Sequence, residues 1–155
     1  MGLNMQYKGL SYTTAVIAIL GVAPWGVFLG GVAKATTELD GKLIKQAEVM
    51  LEWYIVAAQI VYMVAIAAVG FAGQLRRCDS LFNNFLAVNT FLLIYRATIR
   101  INQAQSLKDD NIYVSDWLHL PYVRALAAGQ VSCAAWNLFL AIFLGLAGST
   151  PEPTN

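Results

Sequence analysis

The stretch WYIVAAQIVYMVAIAAVGFAG, residues 53–73, holds no charged side chain. A helix of that length rises about 30 Å at 1.5 Å per residue, the thickness of a bilayer's hydrocarbon core. Three further apolar runs of similar length occupy 12–33, 82–101 and 123–148, and most of the charge falls between the four. Of 155 residues, 58% are hydrophobic and only 12% charged, against about 25% charged in ordinary globular domains. The expectation is an all-α membrane protein: an antiparallel four-helix transmembrane bundle with short loops, forming one integral membrane domain over residues 1–155. A net charge of +1 leaves no electrostatic footprint for nucleic acid.

Lys8 ahead of the first run, with GVAKA at 31–35, has the outline of a signal peptide. The apolar run is longer than a 7–15-residue secretory h-region, so it reads as a retained first span. Four spans place both termini on one side, with three basic residues there (Lys8, Arg76, Arg77) and seven opposite (Lys34, Lys42, Lys45, Arg96, Arg100, Lys108, Arg124). By the positive-inside rule alone the termini would lie outside.

Pro24 predicts a kink in span one, because proline removes a backbone hydrogen bond inside a helix. Gly26-x-x-x-Gly30 puts two bare backbone patches on one face, and span four carries small residues including Ala128 and Ser132. These four are the candidate helix-packing positions. Segment 34–52 predicts a helix that begins near Leu39 or Gly41 and runs about three turns above the membrane into span two. It reads either as a docking surface or as a solvated helix start. A short turn at 74–80 makes spans two and three antiparallel neighbours, and a loop at 102–121 holds DWLHLP (116–121), expected along the interface.

Arg96 and Arg100, four apart, share a helix face. An arginine inside a span costs at least ~2.5 kcal/mol unless it snorkels or is matched. Antiparallel packing brings Glu52 to their level, so Glu52, Arg96 and Arg100 form a candidate ion pair. Snorkelling to lipid phosphates and an ion or substrate pathway are the other readings. Gln59, Asn89, Gln130 and Asn137 are isolated amides in apolar spans and candidates for interhelical hydrogen bonds, worth ~0.6 kcal/mol each on average.

His119 is the only histidine, which excludes bis-histidine haem. Cys78 and Cys133 fall at different depths, with no metal-ligand spacing. The cofactor is unknown: Asn, Gln or His can ligate chlorophyll, so pigment binding stays open, as does lipid. No nucleophile–base pair or phosphate loop is present in the sequence, so the chain reads as a non-enzyme. A channel or transporter would rest on Arg96, Arg100, Asn89 and Gln130 lining a cavity, without mid-membrane carboxylates or internal repeats.

The fourth span, RALAAGQVSCAAWNLF (124–139), and the polar Asn89 in span three give the chain a layout that resembles the MARVEL-type tetraspan proteins and the Casparian-strip membrane proteins of plants. The resemblance implies a non-enzymatic organiser of membrane domains with cytoplasmic termini. The sequence as a whole leads to a structural or accessory subunit within a larger membrane complex. Expected partners are other integral membrane proteins and membrane lipids, with a homo-oligomer possible. A self-associating MARVEL-like scaffold is the alternative.

Overall fold

The computed structural model describes residues 2–38, 46–109 and 120–149, with side chains described over 8–37, 49–106 and 121–149. Nearly all of these residues are helical: α1 (Gly2–Leu20), α2 (Val22–Glu38), α3 (Gln46–Phe71), α4 (Leu75–Asp109) and α5 (Leu120–Ser149). The segments 39–45, 110–119 and 150–155 lie outside the described residues. With them go the expected start of the helix above span two, whose later residues 46–52 open α3, and residues 116–119 of the interfacial segment, including Trp117 and His119.

The first apolar run is two helices in series. Proline 24 lacks an N–H, and its ring crowds the carbonyl four residues back, that of Leu20. The break therefore falls one turn before the proline, at Gly21, whose N–H is shared between the carbonyls of Ile17 and Ala18 at 3.2 Å.

The turn between α3 and α4 is tighter than 74–80. Gly73 takes a φ of 67°, its N–H donates to Gly70 O at 3.1 Å, and Gln74 N–H donates to Val69 O at 3.0 Å. This glycine-terminated motif closes α3 within two residues. Arg76, Arg77 and Asp79 then belong to the start of α4, and not to a loop. At its far end α4 continues to Asp109, past the expected boundary at 101, because 102–109 contains no glycine or proline to stop it.

Three stretches are long and apolar enough to cross a membrane: Lys8–Thr37, Val49–Phe71 and Pro121–Ser149. Helix α4 falls short of the same composition because Asn83, Asn84, Asn89, Arg96 and Arg100 lie within its apolar run. Direction matters here more than composition. Asn89, Thr90, Arg96 and Arg100 are buried, while Phe85, Val88, Phe91, Ile94 and Tyr95 are exposed, Val88 at 61% and Phe91 at 68%.

Contacts run in opposite senses along α3 and α4: Glu52 meets Arg96 and Arg100, Gln59 meets Asn89, and Tyr62 stacks on Phe85. Along α3 and α5 they run in the same sense, Glu52 meeting Gln130 and Gln59 meeting Asn137. Two apolar clusters fill the core, one around Phe28, Ile55, Leu93 and Leu126, the other around Ile17, Ile66, Leu86 and Leu140.

Glycines set the closest approaches. A Cβ on Gly129 would stand 2.6 Å from Phe28 Cα, and one on Gly31 would stand 2.9 Å from Leu126 Cα. Helices α2 and α5 thus meet backbone to backbone. Gly26 and Gly30 do not serve this packing: both are exposed, with nothing within 4 Å of an added Cβ. Ala128 and Ser132 are also exposed. The geometric reason is the same on both helices. Gly26 and Gly30 lie two residues either side of buried Phe28, as Ala128 and Ser132 do around buried Gln130. At 100° per residue, a two-residue step turns each pair to the far face.

Gly129→Val should therefore push α2 from α5 and destabilise the protein by about 1–3 kcal/mol. Thermal unfolding in detergent checks this, and an unchanged midpoint would mean that the helices are not held in this contact.

Candidate functional site

Polar side chains enter the core at seven-residue intervals on three helices: Glu52 and Gln59 on α3, Asn89 and Arg96 on α4, Gln130 and Asn137 on α5. Seven residues are close to two helical turns, so each helix presents both members of its pair on one face, about 10 Å apart along the axis. The pairings described above assemble them into two layers.

The charged layer centres on Glu52, which is fully buried at 0% exposure, as is Arg100. Glu52 Oε1 accepts from Arg100 Nε at 2.8 Å, from Arg96 Nη2 at 3.2 Å and from Gln130 Nε2 at 3.3 Å. Arg100 also donates through Nη1 to Gln103 Oε1 at 2.6 Å. The sequence brings Arg96 and Arg100 together by their i, i+4 spacing, and the α3/α4 register delivers Glu52 between them. The structure places both arginine side chains in the core, and not in a snorkelled position.

The amide layer is formed by Gln59, Asn89 and Asn137, all buried. Gln59 Nε2 donates to Asn137 Oδ1 at 2.6 Å, and Gln59 Oε1 accepts from Asn137 Nδ2 at 2.9 Å and from Asn89 Nδ2 at 2.5 Å. Gln59 and Asn137 therefore form a reciprocal pair with Asn89 attached. Gln130 does not join the other three amides. Seven residues before Asn137, it sits one layer away on Glu52, as Glu52 itself does relative to Gln59. That repeat was the available signal for its place.

Other polar groups were not singled out by sequence. Trp25 Nε1 donates to Val56 O at 3.0 Å, Trp136 Nε1 to Ile17 O at 3.1 Å, and Ser11 Oγ to Gly70 O at 2.8 Å. Each ties one helix to the backbone of another. No run of residues around them marks the acceptor, because any carbonyl will serve. Cys78 and Cys133 are free thiols. No group of three or more His, Cys, Asp or Glu side chains that could hold a metal occurs among the described residues.

Chemically, the charged layer sets one carboxylate against two guanidinium groups inside an apolar protein, and the amide layer fixes register through complementary donors and acceptors. No protein-family model, curated protein or solved structure matches this chain.

Replacing Glu52 by Gln removes the carboxylate and leaves buried guanidinium groups without it. Removing one partner of a buried pair costs about 3–5 kcal/mol, so Glu52→Gln should lose most of the bundle's stability in detergent. Thermal size-exclusion profiles read this, and a profile like that of the parent would show that Glu52 does not hold α4 in place.

Proposed function

We propose that the chain is a four-span antiparallel membrane bundle and a non-enzymatic accessory subunit that works by packing its outer surface against other membrane proteins. The fourth span is α4, whose mid-span polar residues Asn89, Arg96 and Arg100 are turned inward and met by Gln59, Glu52 and Gln103, while Asn84 is exposed nearer its start. Between residues 85 and 95 its outward face is apolar, as a lipid-facing helix requires.

The observation that carries the functional reading is the bare Gly26–Gly30 face of α2, exposed and with no other described helix within 4 Å of an added Cβ at either position. Paired small residues of this spacing let a second helix approach to backbone contact. The interior chemistry supports the same reading. The core amides bond directly to one another, so they act as interhelical ties. The face would equally accept a second copy of the chain, which is the self-associating scaffold resembling MARVEL proteins.

Gly26→Leu/Gly30→Leu should leave thermal stability unchanged while removing co-migrating proteins from the chain after mild-detergent extraction of native membranes. Mass spectrometry of the co-migrating band reads the outcome. A fixed heterologous set that disappears in the double variant supports the accessory subunit. A parent that migrates as a homo-oligomer favours the scaffold, and partners unaffected by the leucines overturn the use of this face.

A further inference from the structure

On the outer side of the α4/α5 seam lies a groove of about 320 Å³, lined by residues including Ile94, Ala97, Ile101, Ala134, Ala135 and Leu138. Of its alanines, Ala97 and Ala134 are buried and Ala135 is exposed, as are Ile94, Ile101 and Leu138. The groove is almost wholly apolar. At Ile101 it meets a second cavity of about 290 Å³, lined also by Gln105 and Arg124. From residue 94 to residue 105, α4 rises about 17 Å, close to one leaflet of a ~30 Å hydrocarbon core.

The head of this trough has a particular chemistry. Arg124 is exposed and, unlike Arg96 and Arg100, has no described carboxylate within ion-pair distance. It lies two residues from Tyr122, over whose ring the Lys34 ammonium stands 5.8 Å from the centroid. Tyrosine and lysine at the end of an apolar run mark the membrane–water interface. An apolar trough one leaflet long, ending at an interfacial guanidinium and an amide, matches a single anionic lipid in both length and charge.

We propose that the α4/α5 groove is a site for one anionic phospholipid, with an acyl chain against Ala97, Ala134 and Ala135 and its phosphate held by Arg124 and Gln105. The inference rests on α4 lying in the bilayer. Arginine is suited to the role because its planar fork of donors matches two phosphate oxygens. The alanine floor is equally specific, since a larger side chain there would occupy the space the acyl chain needs.

Native mass spectrometry of the full chain released from nanodiscs containing equal phosphatidylglycerol and phosphatidylcholine tests the site. The parent should retain one phosphatidylglycerol per chain with about fivefold preference, the scale of one basic contact near an anionic head group. Arg124→Gln should abolish the preference while keeping a bound lipid, and Ala135→Phe, at the exposed alanine of the groove, should lose the lipid altogether. Equal retention of the two lipids by the parent overturns the proposal, as does retention that neither substitution changes. A cysteine placed at Val88 reports separately: its labelling by a water-soluble maleimide in intact vesicles would defeat the four-span reading itself, whatever lipid is retained.

Discussion

The burial of one carboxylate between two arginines is the constraint on which the arrangement depends. Arg96 and Arg100 would each be costly in an apolar environment, and Glu52 Oε1, with bonds of 3.2 and 2.8 Å to them, offsets that cost. The desolvation of all three groups is large, so the pair is better understood as a determinant of arrangement than as a source of net stability. It admits one register of α3 against α4. A shift of a single residue would rotate Glu52 away from the arginines and Gln59 away from Asn89 together. Helix α5 is locked by the same logic, since Gln130 and Asn137 answer Glu52 and Gln59 in the same two layers.

Packing completes what the polar layers specify. Apolar clusters lie on both sides of the amide layer, and Gly129 and Gly31 permit the α2 and α5 backbones to touch. Tryptophans 25 and 136 extend the ties to the α1–α2 pair through carbonyls of α3 and α1. The result is a molecule whose mid-span amides and charges at Glu52, Gln59, Asn89, Arg96, Gln130 and Asn137 are turned inward, with many large apolar side chains exposed on its exterior. Such a surface suits lipid and other membrane helices, which is why the proposed roles concern packing partners and a bound lipid.

Much of this could be read from the chain, and the misses have physical causes. The uncharged run at 53–73 announces its helix by length alone. The meeting of Glu52 with Arg96 and Arg100 follows from a short α3/α4 connection and an i, i+4 spacing, both visible in sequence. The break at Gly21 was displaced from the expected kink at Pro24 because proline acts on the preceding turn. Gly26, Gly30, Ala128 and Ser132 turn away from the bundle interior because Phe28 and Gln130 point into it, which small-residue spacing alone does not reveal. Gln130 makes an interhelical bond as expected, and its depth beside Glu52, apart from the other three amides, was specified by the seven-residue repeat shared by three helices.

The claim that governs the rest is that α4 crosses the bilayer in spite of its polar residues. The most direct test is accessibility of single cysteines at Val88 and Phe91, in a chain with Cys78 and Cys133 replaced by Ala, to a membrane-impermeant maleimide in sealed vesicles. The account predicts that both stay unlabelled until the chain is denatured in detergent, with a cysteine at exposed Ser106 as the reactive control. Labelling of Val88 and Phe91 in intact vesicles at the rate of Ser106 would place α4 in water and contradict it.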